Sequence, residues 1–143
     1  MGQPGSVPTD TETPAQRVTL VLDSGGVSAL AGRRARLEEL RRRGEWPPQV
    51  PTVVLTEVLT GDHRRDYHHD RLLSLCQVRA VTEDLARSGA RLRAKVARPG
   101  AISATDAIVA ALATTYADAV VLTSDEADLA ALLEDEPARV ARA

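Results

Sequence analysis

A chain of 143 residues with 43% hydrophobic and 27% charged residues has the size and balance of a single globular domain. Its formal net charge of −2 excludes a nucleic-acid binder that works through a global positive field, so any polyanion must be met by a local patch. No apolar run reaches membrane-spanning length, the first residues lack the charged-then-apolar plan of a secretory signal, and a single cysteine, Cys76, excludes an internal disulfide; a cytoplasmic protein without membrane contact is expected.

Residues 1–16 mix Gly2, Pro4, Gly5, Pro8 and Pro14 with polar side chains, and so little apolar surface predicts a flexible tail ahead of a domain over 17–143. Val18 to Leu22 predicts a strand, stopped by Asp23-Ser24-Gly25-Gly26, and the helical spacing of Val27, Leu30, Leu37 and Leu40 predicts one helix up to Gly44 and Pro47. The apolar run Val50 to Leu55 predicts a second strand, with Thr56-Glu57 opening a short helix that breaks at Gly61. A polar helix follows through Leu72, Leu73 and Cys76, then a short strand over 77–81. Thr82 caps a helix whose stripe is Leu85, Gly89, Leu92 and Val96, and Ser103 opens an Ala-rich helix that must lie deep against a sheet. Ala119 to Leu122, AVVL, fits a strand covered on both faces. A last helix runs through Asp128, Leu129, Leu132 and Leu133, and Arg139 to Ala143 supply a terminal strand.

Strands that alternate with helices imply an α/β sandwich, whose ligands collect outside the carboxyl ends of the strands. Asp23, Glu57, Asp106 and Asp125 each fall where a strand-like run gives way to a helix, or at the first turn of a helix. Each has a local explanation, because Asp favours caps and acids complement the positive end of a helix. Ser103 to Asp106 has the form of a capping box, and Asp125 could cap the last helix. Capping does not explain why four separate segments place an acid near one edge that lacks lysine or histidine. Carboxylates gathered that way repel one another unless a divalent cation neutralises them, and magnesium or manganese takes such oxygen ligands.

The segments VLDSGGVSAL, VVLTEVLTG, SATDAIVAALA and VVLTSDEADLAAL, in that order over Val18 to Ala143, resemble the PIN domain, particularly the VapC-type toxins of bacterial toxin–antitoxin pairs. The resemblance implies a three-layer α/β sandwich with a central, mainly parallel sheet. It also implies that Asp23, Glu57, Asp106 and Asp125 are catalytic and hold Mg2+ or Mn2+. Thr123 or Ser124 would order the pocket by hydrogen bonds, Ser24 would belong to a small entry loop with Gly25 and Gly26, and Asp128 would be an outer ligand. The chemistry that goes with it is in-line attack of a deprotonated water on single-stranded RNA, with no covalent protein intermediate. A cognate antitoxin with a basic tail and a homodimeric state are implied as well. A non-catalytic RNA-binding or protein-interaction module on the same fold is the alternative.

Other readings are weaker. His63, His68 and His69 lack the spacing of a helical zinc site and fit a solvated face. A phosphoacceptor receiver domain needs a lysine near a strand end, whereas Lys95 is the sole lysine and lies mid-helix; a haloacid-type phosphatase needs an Asp-x-Asp pair and a dinucleotide site its glycine fingerprint. Arg33, Arg34 and Arg36, with Arg41, Arg42 and Arg43, are candidates for RNA phosphate, or else a solvated face paired with Glu38 and Glu39. With no Phe and only Trp46, Tyr67 and Tyr116, sequence reading by stacked bases is not expected.

Overall fold

The computed structural model describes residues 17–143; the expected tail over 1–16 lies outside them. Five strands pair in the order β3-β2-β1-β4-β5, every neighbouring pair parallel. They are β1 (Thr19–Leu22), β2 (Gln49–Pro51), β3 (Gln77–Arg79), β4 (Ala119–Thr123) and β5 (Arg139–Arg142). Parallel neighbours need crossover helices. These are α1 (Ser24–Leu30) and α2 (Arg34–Arg42), α3 (Thr52–Val58) and α4 (His63–Leu75), α5 (Glu83–Ala94) and α6 (Ala104–Thr114), and α7 (Glu126–Leu132), with a 3-10 turn over Pro99–Ala101. Right-handed crossovers in that strand order place α1 to α4 on one face and α5 to α7 on the other. Contacts agree, since α1 packs with α2, α3 and α4 while α6 packs with α5 and α7. The sandwich expected from the sequence is therefore present.

Burial follows the pattern of a sheet covered on both faces. Val21, Leu22, Val50, Val121 and Leu122 are buried in the central strands, whereas the edge strand β3 is exposed throughout. Every residue of α6 from Asp106 to Ala113 is buried, which the small alanines allow by letting the helix lie close to its neighbours. Gly89 does the same for α5, because a Cβ there would stand 3.1 Å from the Ala107 carbonyl oxygen. The expected caps form: the Thr82 hydroxyl accepts from Leu85 N at 3.1 Å and the Ser103 hydroxyl from Asp106 N at 3.0 Å. Cys76 is half-buried, and burial pushes its thiol up to about 12.

Two boundaries differ most from expectation. The single helix predicted from Val27 to Leu40 is two, broken after Leu30 where Gly32 takes φ of 75°, a conformation that side chains with a Cβ disfavour. The second strand ends at Pro51, and the residues read as its second half, from Thr52, form α3. An unbroken apolar run does not declare its period, and here packing against α1 selects helix.

Between α3 and α4 the chain is fastened by a buried acid. Asp66 accepts from Thr60 N, Thr60 Oγ1 and Gly61 N, each at 2.9 Å, and Thr60 N chiefly holds its carboxyl below the usual range. Asp66→Ala leaves those donors without their acceptor and is expected to lower the urea midpoint of unfolding. Asp66→Asn, which keeps one acceptor oxygen, should lower it less.

Candidate active site

Strand order reverses between β1 and β4, since the chain leaves β1 toward β2 and returns on the other side. Crevices outside strand ends at such a point are where doubly wound sheets bind ligands. In-register pairing of Leu22 with Leu122 brings Asp23 beside Thr123. The Thr123 hydroxyl donates to Asp23 Oδ2 and accepts from Asp125 N at 2.7 Å. Asp23 Oδ1 accepts from Gly26 N at 2.8 Å, so this acid also caps α1. One buried threonine thus ties the ends of both strands together.

Gly25 and Gly26, expected in a loose turn with Ser24, lie instead within α1, which Ser24 opens. Their role is close approach. A Cβ on Gly25 would meet Ser124 Oγ at 2.1 Å, and one on Gly26 would meet the Leu122 carbonyl oxygen at 2.4 Å. Side chains at these positions would push α1 away from the end of β4.

Three carboxylates converge at this edge. Asp106, in the first turn of α6, and Asp125 and Asp128, at the start of α7, each offer an oxygen within 4.8 Å of the others. Asp125 occupies the N-cap position of α7, yet its side chain makes no capping bond, so capping does not account for it. Asp106 is buried at 9% exposure. Burial, then a hydrogen bond that protonated Asp106 donates to Asp125 and the charges of Asp125, Asp23 and Asp128, push its carboxyl up to about 7. Asp23 is also raised, by burial first and Asp125 in addition, against hydrogen bonds from Thr123, Gly26 and Gly25. Partial burial and Asp125 raise Asp128. None of the ion pairs seen among the described residues involves these four acids. The donor set is all carboxylate oxygen, which suits a hard divalent cation and not zinc or copper sites built on nitrogen or sulfur.

Glu57 stands apart. Because β2 ends at Pro51, Glu57 falls in the last turn of α3 rather than the first, and its side chain is exposed and outside the carboxylate group. Its helix still packs on α1, which Asp23 caps, and on α6, whose first turn holds Asp106. Asp128, expected as an outer ligand, lies within the close group. Its i, i+3 spacing from Asp125 was the sequence signal.

The basic candidates separate. Arg33, Arg34 and Arg36 are exposed and lie on or next to α2. Arg34 lines a groove between α2 and α4, and Arg36 lines another over the sheet. Of the pairs expected on this face, Glu39–Arg43 forms at 3.4 Å, while Glu38 meets Arg41 at 4.0 Å instead of Arg42. His63 and His68 are exposed on α4, and His69 lies 3.4 Å from the Ser28 hydroxyl. No histidine joins a group of metal-ligand atoms among the described residues.

Residues 20–132, which include all these acids, match the family described as PIN domain. The chain belongs to the PIN domain family. No curated protein gives a significant match to the sequence. Solved structures similar to this PIN domain include chains of DNA-bound VapBC from Salmonella typhimurium and of VapBC2 from Rickettsia felis bound to a promoter DNA fragment. The first has TM-score 0.63 and 17% identity, covering 87% of this chain and 98% of its own. The second has TM-score 0.63 and 15% identity, covering 88% and 99%. A chain of FitAB bound to the IR36 DNA fragment has TM-score 0.58 and 20% identity, covering 86% and 94%. At such identities the likeness is one of fold. It spans nearly the whole of each chain.

Proposed function

We propose that this PIN domain is an endoribonuclease dependent on Mg2+ or Mn2+ that cuts single-stranded RNA, and that it is the toxin of a VapBC-type pair. The convergence of Asp106, Asp125 and Asp128 beside the Thr123-anchored Asp23, at the switch point of the sheet, carries the reading. The three converging acids would hold the cation, with Asp23 next to them; Glu57 would have to reach the site from the last turn of α3. A divalent ion there supplies positive charge for the phosphate and lowers the pKa of water. The residues do the rest. Thr123 keeps Asp23 oriented, and the start of α6 keeps Asp106 in place through Ser103. Asp106, with its carboxyl near 7, would have to be ionised to hold a cation, because ligating carboxylates are deprotonated.

The toxin assignment is supported by an exposed, partly apolar groove as well as by fold. A groove of about 340 Å³ between α2 and α4 contains Leu37, Leu72, Leu75 and Tyr67. Tyr67 at 52% and Leu75 at 42% are two of the three large hydrophobic residues exposed among those described. We assign this groove to a cognate antitoxin. A homodimer and a cytoplasmic location complete the proposal; among the described residues no helix is long and apolar enough to cross a membrane.

The test is RNA cleavage by the purified chain with Mg2+, with Mn2+ and with excess EDTA, paired with thermal melts. Cleavage is expected only with metal. The melting temperature should rise with metal concentration, as a ligand that binds only the folded state stabilises it by about 2.7 kcal/mol at a hundred times its Kd. Undiminished cleavage in EDTA, or melts indifferent to both ions, would refute the assignment.

A further inference from the structure

Two grooves flank α2 and divide its arginines. Arg34 and Arg41 line the groove toward α4, while Arg36 and Arg43 line one of about 380 Å³ that lies over the sheet. The floor of this second groove includes Leu20 of β1 and Leu122 of β4, and Arg139 and Arg142 of β5 form its far wall. Arg36, Arg43, Arg139 and Arg142 therefore line one groove whose only lining carboxylate is that of Glu45, in a chain of net charge −2. Arg142 pairs in register with Thr123, whose hydroxyl holds Asp23. One end of the groove thus adjoins the acidic site.

We propose that this groove carries the sugar-phosphate backbone of the RNA on its way to the acids, a reading that rests on the ribonuclease assignment. Arginine forks match phosphate oxygens in paired, charge-assisted hydrogen bonds. Arg36 forms no ion pair among the described residues. Arg139 and Arg142 form exposed ones with Asp118 at 3.1 Å and Glu126 at 3.7 Å, while Arg43 forms an exposed one with Glu39 at 3.4 Å and one with the mostly buried Glu45 at 2.8 Å. Exposed pairs contribute little and yield readily to a stronger anion. No aromatic side chain lines the groove, so base stacking is absent and contacts to phosphate carry no sequence information. The groove positions RNA of any sequence.

Binding of a fluorescent single-stranded RNA of mixed sequence to the full chain, followed by anisotropy in EDTA at several salt concentrations, tests this. Arg36→Gln/Arg142→Gln should weaken binding about tenfold and make the slope of log K against log salt shallower by about 1.4, at about 0.7 per phosphate contact. Arg87→Gln/Arg91→Gln, on α5, should stay within about twofold of the parent. In cleavage, the sheet-groove variant should raise KM and leave kcat unchanged. Unchanged affinity and slope in that variant overturn the proposal. So does loss of poly-glutamate binding with RNA binding intact, which would give the groove to an acidic protein, and so does a change of oligomeric state alone, which would give it to a second copy. A parent that cleaves while the variant binds RNA normally sinks the groove and spares the nuclease. A parent that binds through these arginines but never cleaves with metal does the reverse.

Discussion

Asp106→Asn is expected to slow metal-dependent RNA cleavage by about 10³-fold while raising the melting temperature of the metal-free protein at pH 8. Both effects have one origin. Asp106 is buried beside Asp125, with Asp23 and Asp128 near enough to add their charges, and its carboxyl stands at about 7 instead of 3.8. A group whose folded pKa lies above its unfolded one contributes stability fully below the unfolded value and loses it as pH rises through the folded value. The metal-free parent should therefore weaken from about pH 4 to above pH 7. The amide removes the charge and keeps the shape. One pKa unit corresponds to about 1.36 kcal/mol; because neighbouring acids share the titration, a gain of at least about 1 kcal/mol, or roughly 3–5 °C, is expected. Saturating Mg2+ should reverse the order, stabilising the parent and not the variant. Melts from pH 5 to 8 in EDTA and in Mg2+ give both readings. A variant that cleaves like the parent, or that melts lower in EDTA at pH 8, contradicts the cation role of this cluster.

What the sequence disclosed was local in origin. The caps at Thr82 and Ser103 formed as read, because a hydroxyl three residues ahead of an amide declares itself. AVVL became a strand buried at all but Val120, because a short apolar run between two helices has few alternatives. What stayed hidden was set by packing. Thr52 to Leu55 belongs to the same apolar run as β2, yet folds as a helix packed on α1 and α6; with that shift Glu57 moved from the first turn of a helix to the last. The Gly25-Gly26 pair looked like a turn, because nothing in the chain shows that the Leu122 carbonyl lies where a Cβ would go. The arginines of α2 were read as one patch. Arg34 and Arg41 are seven residues apart, as are Arg36 and Arg43, and the two sets are offset by two positions. At about 100° per residue that offset turns them to different sides of the helix.

Gly26→Ala is the backbone counterpart of the Asp106 experiment, and its expected effect on stability is the larger. Helix propensity alone favours alanine over glycine by about 1 kcal/mol, so a plain helix position would be stabilised. Here the new Cβ would lie 2.4 Å from the Leu122 carbonyl oxygen and 3.3 Å from both Leu122 C and Leu22 Cβ. Leu122 is backbone in a strand paired on both sides, so α1 must yield. Overpacking costs about 1–3 kcal/mol. Moving Gly26 N away from Asp23 Oδ1, now at 2.8 Å, costs about 1–3 kcal/mol more, because the acceptor is a buried carboxylate. Against the propensity gain, a net loss of about 1–5 kcal/mol, centred near 3, follows, read as a fall of roughly 10 °C in melting temperature. Displacing Asp23 should also reduce cleavage at least about tenfold, because sub-ångström placement of charge governs such sites. Gly100→Ala is the control, since nothing lies within 4 Å of a Cβ at that position, and it should melt like the parent. If Gly26→Ala melts within a degree of the parent, close contact of α1 with β4 is not what sets the geometry of the acids.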